Sequence, residues 1–279
     1  MRQATPFWGK LSVMERVTTP VDQTERGENA PPTRLLSLDV FRGVTIAGML
    51  LVNDPGSWDA IYRPIAHAEW NGWTPADLIF PFFLFIVGIT THLSLTARRG
   101  RGTSDSTLLR QILRRGAIII FLGLAFSAFP YFPITRITHM RIPGILQRIG
   151  VAYICGALLT IRTTVKQQAY IIIAILLGYW FALTLIPVPG HGLGALTLNT
   201  PDATLAAWID RLLLNGHLWS LSRTWDPEGV FSTIPAIATT MLGALAGRWL
   251  LSPTPITGSQ AAGGSRGALD DRCGAVGHP

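Results

Sequence analysis

Apolar residues gather into six runs along this chain, separated by segments rich in arginine, proline and glycine. The runs extend from about Leu38 to Asn53, Asp77 to Leu95, Ala117 to Phe132, Ile145 to Ile161, Tyr170 to Val188 and Phe231 to Leu251. The fifth is the purest, with no polar side chain between Ile171 and Leu177. A helix needs roughly 20 apolar residues to cross a bilayer, so the first run is short and the others suffice or nearly so. Lipid offers no partner to a backbone amide, which makes runs of this length helical. The pattern therefore predicts an all-α, polytopic transmembrane helix bundle of about six spans. Three regions follow. Residues 1–33 are polar, contain no apolar run of signal-peptide type and read as a flexible cytoplasmic tail, with Met14 as an alternative start. Residues 34–251 form the membrane domain. Residues 252–279 begin at Ser252-Pro253-Thr254-Pro255 and continue rich in Gly, Ala and Ser, a composition that predicts disorder.

Composition agrees. The chain has 279 residues, of which 48% are hydrophobic and 14% charged, against about 25% charged in an ordinary soluble domain. Its net charge of +7 does not point to nucleic acid, because the arginines sit between apolar runs. Arg98, Arg99, Arg101, Arg110, Arg114 and Arg115 fall between the second and third runs, and Arg162 and Lys166 between the fourth and fifth. The excess of basic residues on cytoplasmic loops then orients the bundle in the inner membrane of the cell. The N-terminus and residues 96–116 face the cytoplasm, and residues 54–76 and 189–230 lie outside. Arg136 and Arg141 are the exceptions, since their loop is external. Cys155 and Cys273 form neither a disulfide nor a metal pattern, and the histidines show no metal-ligand spacing, so no metal is expected.

The densest chemistry is His67-Ala68-Glu69-Trp70-Asn71-Gly72-Trp73-Thr74-Pro75-Ala76-Asp77, directly before the second run. Ionisable groups at a membrane boundary usually mark a site. Alone, His67 would read as an interfacial histidine bonded to a carbonyl. With Glu69, Asn53, Asp54 and Asp77 near in sequence, a carboxylate can orient one imidazole nitrogen while the other takes a proton. Asp77 also suits the positive end of a helix, and Asn71 is a further supporting polar group. Trp70 and Trp73 are membrane-interface anchors or sugar-stacking surfaces. In the first run, Asp39 and Arg42 are spaced to pair within a helix, and Arg42 is also suited to a phosphate. Gln147 and Arg148 lie in the fourth run. Arg141 is two helical turns before Arg148, with Pro143 placed to start that helix. These three fit either an anionic ligand or ion pairs between helices. In Trp225-Asp226-Pro227-Glu228-Gly229, a turn before the last run, Glu228 reads as solvated and Asp226 as engaged.

These motifs resemble the heparan-α-glucosaminide N-acetyltransferase family of membrane acyltransferases. The resemblance rests on Ser37-Leu38-Asp39-Val40-Phe41-Arg42-Gly43, Val52-Asn53, His67-Ala68-Glu69-Trp70-Asn71-Gly72, Asp77-Leu78-Ile79-Phe80-Pro81 and Arg141-Ile142-Pro143-Gly144-Ile145-Leu146-Gln147-Arg148, in that order. It covers about Arg34 to Leu251, and Asp54-Pro55-Gly56-Ser57-Trp58 resembles the bacterial branch. The resemblance implies transfer of acetyl from acetyl-coenzyme A (acetyl-CoA) to an amino sugar such as terminal glucosamine. His67 and Asn53 would be catalytic, with Glu69, Asp77 and Asn71 supporting, and Arg42, Arg141, Arg148 and Gln147 would hold the donor. The partners implied are an amino-sugar or glycan acceptor and the lipid bilayer, with a homo-oligomer left open. The family's membrane domain runs through further spans, so the resemblance also implies a C-terminally truncated member. An amino-sugar permease and an inactive fragment of the acyltransferase are the alternatives.

Overall fold

The computed structural model describes residues 36–131 and 139–251. The two tails read from the sequence, the Met14 start, Arg136 and Cys273 fall outside them. Among the described residues six helices are long and apolar enough to cross a membrane: α1 Leu36–Asn53, α2 Pro75–Gly100, α3 Asp105–Ala128, α4 Ile145–Arg162, α5 Val165–Leu185 and, last of those described, α8 Thr233–Leu251. The chain is thus a multi-pass membrane protein built as a helix bundle.

Glycines set the centre of the bundle. A Cβ at Gly88 of α2 would lie 2.0 Å from the Thr240 carbonyl oxygen of α8, and one at Gly243 of α8 would lie 2.0 Å from that of Phe85. The two backbones touch there, which only glycine allows. Small residues let helices approach closely in lipid, where dispersion replaces the hydrophobic effect as the attraction. Leu84 and Ile86 of α2, Ala152 of α4 and Ala238 and Met241 of α8 are accordingly enclosed. α3 packs on α4 through Gly116, whose Cβ would overlap the Ile154 side chain. α1 and α5 lie at the periphery and expose most of their apolar surface.

Several boundaries differ from the sequence reading: α5 starts at Val165, taking in Lys166, and ends at Leu185, α3 ends at Ala128, and two further differences have a clear physical cause. Residues 96–116 were expected as a connection, but α2 continues to Gly100 and α3 starts at Asp105, capped by Ser104, whose hydroxyl accepts the Thr107 amide at 3.4 Å. Arg110, Arg114 and Arg115 are therefore helical, as arginine's high helix propensity permits. They depress hydropathy without ending the helix. At the other end, Pro143 does not start α4. The helix begins at Ile145 behind an extended Gly144.

Between α5 and α8 the chain forms a small polar-side assembly. A two-stranded hairpin, β1 Pro187–Val188 and β2 Gly192–Leu193, leads into the short α6, Gly194–Thr197, and then α7, Leu205–Leu214. It lies at the same end of the bundle as the start of α2, and it meets the His67 segment there.

Candidate functional site

The start of α2 builds the first half of the site. Thr74 is the N-cap, in extended conformation, and Asp77 is the third helical residue. Asp77 Oδ2 accepts the Thr74 amide at 2.8 Å and the Ala68 amide at 3.2 Å. Such a reciprocal cap is what a Thr followed by an acid three positions on can form. The Thr74 hydroxyl donates to the Ala66 carbonyl at 2.7 Å, closing the loop onto the helix start. Asp77 Oδ1 is left over, and it lies 2.6 Å from His67 Nδ1. One carboxylate thus caps the helix and orients the imidazole. With Nδ1–H donated to Asp77, the lone pair of the neutral ring resides on Nε2, which has no hydrogen-bond partner among the described residues. The His67 side chain is 54% exposed, so Nε2 is accessible.

The outer assembly holds this loop from the other side. Trp70 Nε1 donates to the Leu198 carbonyl at 2.6 Å, and Asn71 Nδ2 donates to Asn199 Oδ1 at 3.1 Å. The Trp70 ring meets Trp225 edge-on at 5.3 Å, and Trp225 meets Trp219 at 5.6 Å. Aromatic edge contacts of this kind add about 0.5–1.5 kcal/mol each beyond burial. Trp70 and Asn71 are therefore engaged in joining two segments 128 residues apart. Glu69 is exposed and makes no side-chain hydrogen bond among the described residues. Asn53 ends α1 with Nδ2 donated to the Met49 carbonyl at 2.7 Å, and no hydrogen bond joins it to His67.

Next to Trp225 in the chain, Asp226 is the centre of an ionic network. Arg141 Nε donates to Asp226 Oδ2 at 2.9 Å and Nη2 to Oδ1 at 2.5 Å, a two-pronged contact of the kind guanidinium favours. Arg141 Nη2 also reaches Glu228. Burial alone would lower the Arg141 pKa, and the carboxylates of Asp226 and Glu228 outweigh it, raising the value above that of free arginine. Glu228, expected in a solvated loop, is instead only 18% exposed. Asp226 is fully enclosed. Arg148 donates to the Pro227 carbonyl at 2.7 Å and to the Ser232 hydroxyl. Asp210 of α7, absent from the sequence reading, accepts the Val230 amide at 2.9 Å. Its burial raises its pKa to about 6, with Asp226 adding to the shift against the Val230 and Phe231 amides and Arg148. A single acid inside Trp208-Ile209-Asp210-Arg211-Leu212 was the available sequence signal. Gln147 has a different role: its side chain fills the space over Gly123 and Gly144, where a Cβ would lie 2.4 and 2.6 Å from Oε1.

Arg42 lies elsewhere. It pairs with Asp39 at 3.7 Å, as the spacing predicts. It also lines a cavity of about 540 Å³ between α1, α2, α3 and α4, together with Arg98 and Arg115. Along α2 the lining runs from Arg98 to Phe83. At about 1.5 Å per residue that is roughly 22 Å, stopping roughly 9 Å short of Asp77. Among the described residues no group of three or more His, Cys, Asp or Glu side chains is arranged to hold a metal.

The membrane helices thus carry an oriented histidine at one end, and an arginine-lined cavity reaches toward it from the other. The comparison with known sequences is specific. The profile of the family described as heparan-α-glucosaminide N-acetyltransferase, catalytic, matches residues 34–261, and the chain belongs to that family. It is similar to the heparan-α-glucosaminide N-acetyltransferase of Homo sapiens, with 36% identity over 265 residues, covering 80% of this chain and 39% of the human protein. The Mus musculus counterpart is 34% identical over 261 residues, with 78% and 39% covered. The chain thus spans about 39% of the length of these relatives.

Proposed function

We propose that this chain carries the reaction centre of a membrane N-acetyltransferase that moves an acetyl group from acetyl-CoA to the amine of a glucosamine-type acceptor. The observation that carries the reading is the His67–Asp77 pair. Asp77 fixes the imidazole, and the exposed Nε2 takes the proton that an acceptor amine loses as its nitrogen bonds the acetyl carbon, the thioester C–S bond breaks and coenzyme A leaves as its thiolate. The other end of the bundle suits the donor. Acetyl-CoA supplies an acyl group activated as a thioester, at the end of a long arm that carries phosphates. A cavity of about 540 Å³ is in the usual range for such ligands, roughly 300–1,000 Å³. Its arginines Arg42, Arg98 and Arg115 would take phosphate groups, and its apolar length toward Phe83 would take the arm. Asn53 and Glu69, at the His67 end, would contact the acceptor. Arg141, Arg148 and Gln147 support the outer wall through the contacts described above. The donor cations and His67 then lie at opposite ends of α2, the layout required for transfer across a bilayer.

The test is acetyl transfer from labelled acetyl-CoA to a glucosamine acceptor by the purified chain in lipid. Amino-sugar uptake that needs no acyl-CoA would favour the permease instead. Arg98→Gln with Arg115→Gln is expected to raise the acetyl-CoA KM by about tenfold or more, on the scale of about 1.5–3 kcal/mol per charged hydrogen bond. An unchanged KM would remove the cavity from donor binding.

The arginine distribution supports a cytoplasmic donor end and an external His67. With cysteines introduced at Ala60 and Thr103 in a background lacking Cys155 and Cys273, an impermeant reagent is expected to label position 60 in intact cells and position 103 only after lysis. The reverse pattern would invert the orientation.

A further inference from the structure

The α3 helix carries arginines on two faces, and the donor cavity uses only one. Leu108, Gln111, Ile112, Arg115 and Ile119 recur at helical spacing and line that cavity. On the other face, Ser106, Leu109, Arg110, Leu113, Arg114 and Ala117 border a shallow groove of about 540 Å³. A smaller hollow of about 220 Å³ shares Ser106 and Leu109 with it and adds Leu158, Ile161 and Arg162 from α4. Arg110, Arg114 and Arg162 are all exposed, and none has an ion pair or side-chain hydrogen bond among the described residues. Asp105, the acid on this edge, is already engaged by Arg99 at 2.9 and 3.0 Å. Three uncompensated guanidiniums therefore border a floor of leucine, isoleucine and alanine.

The height of these groups identifies the occupant. α3 has 24 residues, or about 36 Å, against an apolar bilayer thickness of about 30 Å. Arg110 lies roughly 8 Å and Arg114 roughly 14 Å along the axis from Asp105, so the long side chains reach the headgroup layer by extending toward the helix end. Beyond Arg114, Phe121 and Leu122 remain outward-facing toward the bilayer interior. A free anion would use the cations and leave the apolar floor bare. A neutral lipid would use the floor and leave the cations unmatched. We propose that this face of α3 and the adjoining end of α4 form a binding site for an anionic phospholipid. The phosphate lies among Arg110, Arg114 and Arg162, and an acyl chain lies along Leu109, Leu113 and Ala117. Basic hollows between helices at the membrane surface select such headgroups.

Nanodisc-reconstituted full chain, released and examined by native mass spectrometry, tests this. Phosphatidylglycerol is expected to remain bound where phosphatidylcholine does not. Arg110→Gln/Arg114→Gln/Arg162→Gln together are expected to weaken its retention on the order of 100-fold, and Arg63→Gln to leave it unchanged. Equal retention by the triple variant and the parent would overturn the site. A second measurement does not depend on the folding of that variant. A fluorophore on Leu113→Cys, without Cys155 and Cys273, should be quenched by brominated phosphatidylglycerol well before brominated phosphatidylcholine. Equal quenching by the two lipids would overturn the proposal. So would displacement of the bound lipid by free coenzyme A, which would make this face a second phosphate site of the donor.

Discussion

His67→Ala is expected to reduce acetyl transfer by about 10²–10⁴-fold, the usual contribution of a general base, with the protein still folded. Both halves of that expectation come from the same geometry. The imidazole is more than half exposed and, among the described residues, makes one hydrogen bond, to Asp77, so its removal leaves no enclosed cavity. Asp77→Asn separates orientation from the cap. The amide retains an oxygen for the Thr74 amide, but it no longer presents two acceptor oxygens, so His67 loses its fixed tautomer. That variant should lower kcat more than it raises KM, and it should remain as heat-stable as the parent to within the 0.5–2 kcal/mol that a cap contributes. Asn53→Ala should also impair turnover strongly. Among the described residues its amide group makes only the Met49 hydrogen bond, through nitrogen, so its carbonyl oxygen faces no partner there. Steady-state kinetics with thermal denaturation in detergent checks all three. A folded His67→Ala protein at full turnover would move the chemistry away from this end of α2.

The separation of what the sequence told from what it hid follows from range. Apolar runs give the six spans because helix formation in lipid is a local requirement. The Asp39–Arg42 pair was legible for the same reason, being one helical turn apart. The start of α3 was hidden because arginine lowers hydropathy while favouring helix, so a hydropathy boundary and a helix boundary need not coincide. Near His67 the sequence offered Glu69, Asp54 and Asp77 without ranking them. The choice fell to Asp77 because the cap at Thr74 folds the loop back over ten residues, a turn geometry that composition does not encode. Asp226 lies 85 residues from Arg141 and Leu198 lies 128 from Trp70. Contacts at such distances depend on how α4, α7 and α8 meet. The role of Asp210 was likewise invisible, because its partner is a backbone amide and any residue could have supplied it.

Asp226→Ala is expected to destabilise the protein by about 1.5–3 kcal/mol, the scale of a hydrogen bond between charged groups lost from an enclosed site. Asp226 is fully buried, accepts both prongs of Arg141 and takes the Glu228 amide at 2.9 Å. Its loss leaves the Arg141 guanidinium with Glu228 alone. Replacing the pair together, Asp226→Leu with Arg141→Met, should recover much of that loss, because an apolar pair removes the desolvation of both charges while the part-exposed Glu228 carboxylate turns to water. Stability and activity should then part. Trp225 precedes Asp226 and meets Trp70, three residues from His67, so the apolar pair restores packing without the directional hold on that ring. The double variant is expected to melt near the parent and still transfer acetyl more slowly, with kcat the affected constant. If the double variant melts as low as Asp226→Ala, the pair is not what stabilises this end of the bundle. If it recovers both melting and kcat, the network is a structural clamp with no part in positioning His67.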